Sequence, residues 1–183
     1  MARVEHVIYK RCVPGDRLKV ENKSQKAGSG GGARDLRFNP LKMFKTVIPK
    51  TFTETRSNSR GRQFNSAPVY WPEGKKTEGP IEVELWSPTN SRGGEIRLST
   101  VYKVTPFDKH HLPPAELDPF FFLWKDEERV WARYVTVRDL RKRGWPRSLV
   151  EPILDSVKTV PSDQNIRGWR NLITGEGEHR DAR

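Results

Sequence analysis

Cysteine is almost missing from this chain: Cys12 is the single cysteine among 183 residues. One cysteine excludes an internal disulfide, and neither a Cys-x-x-Cys pair nor a mixed cysteine and histidine ligand set occurs. The first ten residues, MARVEHVIYK, contain no apolar stretch of the kind that a secretory signal needs. We therefore expect an intracellular, cytoplasmic protein without a metal site.

Long hydrophobic runs are missing as well. No segment approaches the ~18 consecutive apolar residues that a membrane span requires, so we expect no membrane partner. Aromatic residues are plentiful, with 6 Trp, 8 Phe and 4 Tyr, which argues against disorder because disordered chains are poor in aromatics. The length predicts one domain with a buried core, here residues 1–160, followed by a polar C-terminal tail over residues 161–183.

Acidic residues are outnumbered: 34 Lys and Arg face 23 Asp and Glu, which leaves a formal net charge of +11. Such a surplus attracts polyanions, and nucleic acid is a more natural partner for it than an acidic membrane surface. The alternative is that the charge serves solubility alone.

Short β-strand signals bounded by proline and glycine fill most of the chain. Residues 4–9 (VEHVIY) predict the first strand, and further strands are predicted at VYW 69–71, IEVELW 81–86, EIRLSTVYKV 95–104, FFFLW 120–124 and VWARYVTV 130–137. Alternating βαβ units do not occur, so a parallel nucleotide-binding sheet is not expected. The pattern favours a mainly β (α+β) fold, a single-domain antiparallel pseudobarrel of about seven short strands with two short helices.

The two helices are predicted at opposite ends of the chain. In FNPLKMFKTVIP, Asn39 is a candidate helix cap and Pro49 ends the helix. The second helix runs from Ser148 to Val157, with apolar residues spaced for one face. Residues 12–33 and 53–66 are polar and predict loops.

The strand at 95–104 carries the clearest functional pattern. Two-residue periodicity places Ile96, Leu98, Tyr102 and Val104 on one face and Glu95, Arg97, Ser99 and Lys103 on the other. Arginine donates two hydrogen bonds to guanine and glutamate accepts one from cytosine, so a rigid strand presenting both is able to read base edges. The strand and the turn TNSRGG before it, which contains Asn90 and Arg92, form the candidate recognition element; an ordinary charged surface strand is the alternative.

Other basic segments surround this element. The Gly-rich run KAGSGGGARDLRF at 26–38 is typical of loops whose backbone N–H groups approach phosphate, but it lacks the Gly-Lys-Ser/Thr ending of a Walker loop. An arginine loop carries Arg56, Arg60 and Arg62, and RDLRKRGWPR covers 138–147. We expect such segments to contact the nucleic-acid backbone without reading sequence; mobile or solvated surface is the alternative for each.

Candidate catalytic clusters are few. Asp108, His110 and His111 share a proline-bounded loop, but no carboxylates at metal-site spacing accompany them, which favours a surface loop. A Mg²⁺-dependent nuclease needs spaced carboxylates and a lysine, and Glu82 and Glu84 are not followed by that lysine. We expect neither a cofactor nor an active site, with a small basic nuclease using these residues as the alternative.

The order of these features resembles a known family. A strand ending in Lys10 and Arg11, the run AGSGGGARDLRFNPLKMF, the segment VELWSPTNSRGGEIRLS and the late pair FFFLWKDEERVWARYVTV follow one another as in the N-terminal effector-binding domain of the restriction endonuclease EcoRII. That domain is a DNA-binding pseudobarrel, of the kind also found in plant transcription factors and in the recognition domain of BfiI. The resemblance covers residues 4–155.

The resemblance implies a protein that grips the DNA major groove with two arms. The first arm would carry Lys10, Arg11 and Arg34, and the second Arg92, Glu95 and Arg97. An insertion separates Arg11 from the glycines, which departs from the family pattern. The catalytic domain of EcoRII has no counterpart in this sequence, so DNA cleavage is not implied.

Together these observations predict a sequence-specific double-stranded DNA-binding module, acting as a recognition or effector domain of a restriction-like or other defence system. A separate nuclease subunit or domain is the candidate second partner. The alternatives are the small basic nuclease and an RNA-associated protein that stacks bases on Trp71, Trp86 and Trp131. The candidate DNA-binding residues are Lys10, Arg11, Lys26, Arg34, Arg37, Arg60, Arg62, Asn90, Arg92, Glu95, Arg97 and Ser99.

Overall fold

Strands and short helices make up a mixed α+β fold, which the computed structural model describes over residues 4–21, 36–57, 63–70, 81–86, 95–99, 107–142 and 144–181. The strands are β1 His6–Arg11, β2 Leu36–Phe38, β3 Glu54–Ser57, β4 Gln63–Ala67, β5 Val69–Tyr70, β6 Ile81–Trp86, β7 Glu95–Ser99, β8 Pro119–Lys125, β9 Val130–Thr136, β10 Arg167–Asn171 and β11 Gly177–Arg180. The helices are α1 Pro14–Val20, α2 Leu41–Phe44, α3 Ile48–Thr51, α4 Val137–Leu140 and α5 Arg147–Thr159. None of the helices in these ranges is long and apolar enough to cross a membrane.

The strands form two sheets rather than one barrel. The six-stranded sheet has the order β11-β10-β1-β8-β9-β5, and the five-stranded sheet has the order β2-β7-β6-β4-β3. Neither sheet closes on itself among the described strands, and β5 pairs with β9 in parallel, which departs from the predicted antiparallel order. The α+β class is confirmed, and the pseudobarrel stays a prediction. The chain changes sheets at Pro68, which lies between β4 and β5 and has no N–H to continue the ladder.

Strand β1 lies between two hydrophobic clusters, because its alternate side chains point to opposite faces of the sheet. Ile8 belongs to the cluster between the sheets, which includes Phe38 of β2 and Ile96 of β7. Tyr9 belongs to the cluster under α5, which includes Ile153. The order of layers is therefore five-stranded sheet, six-stranded sheet and helix α5, with all six residues of β1 buried.

Most predicted elements occur near their predicted positions. Strand β6 coincides with the predicted residues 81–86, and β1, β5, β8 and β9 differ from prediction by one or two residues at their ends. Strand β7 begins at the predicted residue 95, and residues 100–106 lie outside the described ranges. Helix α5 confirms the predicted helix over 148–157.

The predicted helix near residue 40 is instead two single turns, α2 and α3. Asn39 does not cap α2, whose cap position is Pro40. Pro49 does not end a helix but occupies the first turn of α3, where proline costs no backbone hydrogen bond.

Two predicted loops contain regular structure. Helix α1 lies in the predicted loop 12–33, and β3 and β4 form a hairpin in the predicted loop 53–66. In α1 the inward side chains are Asp16 and Val20, so a polar residue occupies a position where a helical pattern would show an apolar one. The four residues of β3 are exposed and carry no alternation.

The predicted C-terminal tail is part of the six-stranded sheet. Strand β10 pairs with β1 from His6 opposite Asn171 to Lys10 opposite Arg167, and β11 pairs with β10. Residues 167–180 therefore belong to the domain and not to a polar tail, so the predicted boundary at residue 160 is corrected. The polar composition predicted a tail because β10 and β11, near the edge of the sheet, carry arginine, glutamate and glycine.

Glycine is required at position 168 by the close approach of its neighbours. A Cβ placed on Gly168 would overlap the hydroxyl oxygen of Tyr9 and the carbonyl oxygen of Glu178. By contrast, nothing lies within 4 Å of a Cβ placed on Gly15, which occupies the first turn of helix α1. The two glycines provide opposite tests of the same substitution.

We predict that Gly168→Ala destabilises the protein by ~1–3 kcal/mol, because the added methyl displaces Tyr9 or spreads the β10–β11 pair. Gly15→Ala should instead be neutral or stabilising by up to ~1 kcal/mol, since alanine is the better helix former. Urea unfolding of the two variants gives both values. Equal stability of the two variants would contradict the packing described for β10.

A chain of hydrogen bonds ties the C-terminal hairpin to β1 and α5. The Tyr9 hydroxyl lies 2.8 Å from His179 Nδ1, and Ser156 Oγ lies 2.8 Å from His179 Nε2. Because Ser156 donates its proton to Asp181 Oδ2 at 3.0 Å, the imidazole donates from Nε2–H to Ser156, and in its neutral form it accepts from the Tyr9 hydroxyl at Nδ1. This assignment requires the neutral imidazole.

The protonation of His179 therefore couples to folding. Burial lowers the pKa of His179 below its ordinary value of 6.5, and Asp181 opposes that shift only in part. A lowered folded-state pKa means that the unfolded chain binds the proton more readily, so the stabilisation is complete above pH 6.5 and is lost as the pH falls through the folded-state pKa. Burial lowers the pKa of His6 as well, so His179 accounts for part of the effect.

We predict that His179→Gln reduces the loss of stability on acidification. Urea unfolding at about pH 7.5 and about pH 5.5 should show a smaller fall in the free energy of unfolding for the variant than for the native chain. His110→Gln is the matched control, because that side chain is exposed and only its backbone N–H bonds to Asp108. Identical pH dependence of His179→Gln and the native chain would show that His179 does not titrate on unfolding.

Candidate nucleic-acid interface

Arg37 and Arg97 lie side by side in the five-stranded sheet. Arg37 of β2 is directly opposite Arg97 of β7, and Glu84 of β6 is opposite Arg97 on its other side. Directly opposed residues on paired strands have Cβ atoms about 4.5–5.5 Å apart. The register thus creates a row in the order Arg37, Arg97, Glu84 across three strands, which we call the Arg–Arg–Glu row.

The inner faces of β2 and β7 are completely buried at the residues beside the two arginines. Leu36 and Phe38 flank Arg37, Ile96 and Leu98 flank Arg97, and all four have no exposed surface. The predicted alternation in β7 is therefore confirmed for Ile96 and Leu98, while Tyr102 and Val104 lie outside the described residues. Because both arginines are half-buried and their neighbours are fixed in the core, the strands limit the freedom of the two side chains at their base.

Lys10 and Arg11 occupy the interior and are not part of this surface. Lys10 is 6% exposed, and its Nζ lies 2.6 Å from Asp16 Oδ2. Arg11 is 2% exposed and donates from Nε and Nη2 to the carboxylate of Asp118, and from Nη1 to the carbonyl oxygens of Val160 and Pro161. The prediction that Lys10 and Arg11 contact DNA is therefore corrected, because both side chains form ion pairs inside the domain.

The remaining candidates divide into two groups. Glu95 and Ser99 lie in β7, two residues to either side of Arg97. The other six lie outside the described residues: Lys26, Arg34, Arg60, Arg62, Asn90 and Arg92. The structure thus brings together Arg37, Arg97 and the strand positions of Glu95 and Ser99.

The histidine loop has an internal role. Asp108 Oδ1 accepts hydrogen bonds from the backbone N–H groups of His110 and His111 and lies 2.8 Å from His111 Nδ1. Burial alone would raise the pKa of Asp108, but these hydrogen bonds outweigh it and hold the pKa below its ordinary value. Asp108 therefore closes its own loop, and the described residues contain no group of three His, Cys, Asp or Glu side chains able to hold a metal ion.

Trp131, a candidate for base stacking, is packed against other aromatic rings. Its indole lies parallel to that of Trp124 at a centroid distance of 6.2 Å and 5.8 Å from the ring of Tyr70. Its Nε1 donates to Asp126 Oδ2 at 2.8 Å. Trp131 therefore joins strands β8, β9 and β5, while Trp71 and the side chain of Trp86 lie outside the description.

A cavity of about 360 Å³ lies beside the Arg11–Asp118 ion pair and is lined in part by Cys12, Arg17, Glu116 and Asp118. Burial, with a further contribution from Asp16, raises the pKa of the Cys12 thiol to about 12. The thiol is protonated at neutral pH, which disfavours nucleophilic chemistry at this cavity.

Three arginines of the C-terminal hairpin were missed by the sequence analysis, namely Arg167 and Arg170 of β10 and Arg180 of β11. The segment RGWRN contains one large apolar residue, Trp169, and no alternating pattern that predicts a strand.

Comparison of the chain with protein-family models, with curated proteins and with solved structures finds no match. The resemblance to the EcoRII domain stays a prediction, and the geometry of the chain itself is the basis for interpreting its function.

The burial of Lys10 leads to a test of its structural role. We predict that Asp16→Asn costs ~3–5 kcal/mol of folding free energy, because it leaves the ammonium group of Lys10 buried without its carboxylate. Urea unfolding measures the loss.

Asp155→Asn is the matched control, since its ion pair with Lys158 is exposed and should contribute under ~1 kcal/mol. Replacing both partners, Lys10→Met with Asp16→Leu, should restore much of the stability lost in the single variant. A single variant as stable as the control would contradict the assignment of Lys10 to the interior.

Proposed function

We propose that this protein is a sequence-specific double-stranded DNA-binding module that contacts base edges with the Arg–Arg–Glu row. The observation that carries the proposal is the pairing of Arg37 and Arg97 on neighbouring strands whose inner side chains are fixed in the core. A guanidinium donates two parallel hydrogen bonds to guanine in the major groove, and Arg37 lies in β2, the edge strand of its sheet among the described residues.

Glutamate beside arginine supports recognition of bases over uniform attraction to phosphate. Glu84 is opposite Arg97 in the strand register, and Glu95 is two residues from Arg97 along β7. A carboxylate repels the phosphate backbone but accepts a hydrogen bond from cytosine. The formal net charge of +11 supplies the non-specific attraction that brings the surface to DNA.

The setting that we propose, a recognition or effector domain of a restriction-like or other defence system, rests on the resemblance to the EcoRII domain. Two sheets sharing one core are compatible with a pseudobarrel of that kind. A separate nuclease subunit is the partner that this setting implies.

We predict that Arg97→Gln weakens binding to a preferred duplex by ~1–3 kcal/mol, about 5- to 150-fold in Kd, because one bidentate base contact is lost. The preferred duplex comes from selection out of a randomised library by the native chain at about 150 mM salt. Repeating the selection with Arg97→Gln should relax the preference at one base position. Arg92, outside the described residues, is expected to behave likewise on replacement by alanine.

Arg138→Gln is the matched control. Arg138 is exposed, carries the same charge and lies in helix α4, which follows β9 of the other sheet. It should leave the selected motif unchanged. An equal loss of affinity by Arg97→Gln on every duplex would make Arg97 a phosphate contact, and no selected motif would contradict sequence-specific binding.

A further inference from the structure

A row of three cations crosses the edge of the six-stranded sheet. Lys10 of β1 is opposite Arg167 of β10, and Arg167 is opposite Arg180 of β11. Paired residues point to the same face, so the three side chains leave the sheet on one side. Asp16 neutralises Lys10 within the domain. Arg167 and Arg180 form no ion pair with a carboxylate of the described residues.

Placing these two arginines opposite each other is unfavourable without an anion. Like charges directly opposite on paired strands destabilise a sheet. Arg167 is also half-buried, and its Nε has no hydrogen-bond partner among the described residues although that atom is inaccessible to water. A buried donor without a partner costs free energy that a bound acceptor would recover. Burial and the neighbouring charge of Arg180 both lower the pKa of Arg167, which reflects the same lack of an anion.

A third arginine lies on the other face of the same hairpin. A Cβ on Gly177 would lie 2.7 Å from Cδ of Arg170, so the stem of Arg170 crosses β11 at this glycine. The Nε of Arg170 likewise has no hydrogen-bond partner among the described residues. Since β11 is the last strand in the sheet order, positive groups lie on both faces near one sheet edge.

We infer that Arg167 and Arg180 form a binding site for a phosphate group, with Arg170 adding positive charge from the opposite face. Phosphate oxygens accept paired hydrogen bonds from guanidinium groups and would supply both the missing negative charge and the missing acceptor. Two sources carry this phosphate chemistry, a nucleic-acid backbone and a free phosphate compound. Only the nucleic-acid backbone rests on the proposed function. The site is built from β10 and β11 and contains none of the residues of the Arg–Arg–Glu row.

The test uses inorganic phosphate as the probe and Arg180→Gln as the main variant, because Arg180 is exposed and its loss should not disrupt the core. Phosphate at about 10 mM should raise the Tm of the native chain by about 2–4 °C relative to sodium chloride of equal ionic strength. Arg180→Gln should lose that shift, and Arg180→Lys should retain part of it, since lysine keeps the charge but not the planar fork.

Arg138→Gln is again the matched control for the loss of one positive charge and should keep the full shift. In sodium chloride alone, Arg180→Gln should be no less stable than the native chain, because it removes a repulsion. A phosphate-induced shift that is absent from the native chain, or equal in Arg180→Gln, would overturn the inference.

A second measurement identifies the source of the phosphate. If the phosphate belongs to nucleic acid, Arg180→Gln should reduce the slope of log affinity against log salt for a duplex by about one. An unchanged slope with a lost phosphate shift would assign the site to free phosphate compounds. Loss of the phosphate shift in Arg180→Gln together with normal DNA selection by Arg97→Gln would overturn the proposed function but keep this site.

Discussion

The rest of the structure depends on the burial of strand β1. This strand is hydrogen-bonded on both sides, to β8 and β10, and contributes side chains to both hydrophobic clusters. Its last two residues are charged, so the fold must supply a carboxylate for each one inside the domain. Asp16 from α1 and Asp118 from the turn before β8 meet that requirement. The two ion pairs thereby fix the chain on either side of the central sheet.

Internal ion pairs also decide which positive charges near β1 remain for a partner. Lys10 and Arg11 are neutralised internally, whereas Arg167, directly beside Lys10, has no such carboxylate among the described residues. On the other sheet, Arg37 and Arg97 emerge half-buried from strands whose opposite faces are fully enclosed. The chain thus has two different arginine arrangements. One is an arginine pair beside glutamate, which we propose for base edges; the other is a pair without an ion-paired carboxylate among the described residues, which we propose for phosphate.

Much of the fold could be predicted from local patterns. Strand β6 follows from its β-forming residues, the buried face of β7 from alternation and α5 from its apolar spacing. In β7 and α5 the burial of the apolar residues agrees with their type. Prediction failed where a polar residue occupies an interior position. Helix α1 was not predicted because Asp16 occupies an interior position of the helix where an apolar residue is expected. Lys10 and Arg11 of β1 were predicted to contact DNA, because the local sequence does not show that aspartates from other elements lie beside them. The arginines of β10 were overlooked for a related reason, because pairing with β1 links residues more than 150 positions apart.

We propose that the Arg–Arg–Glu row reads base edges and is not merely attracted to DNA by charge. The most direct test of this proposal is the affinity of the native chain for a selected duplex and for a scrambled duplex of the same composition, measured between about 50 and 200 mM salt. If the row reads base edges, both affinities should fall as the salt concentration rises, while the preference for the selected duplex persists. Affinities that converge to one value as salt rises would contradict it, because the +11 charge alone would then explain the binding.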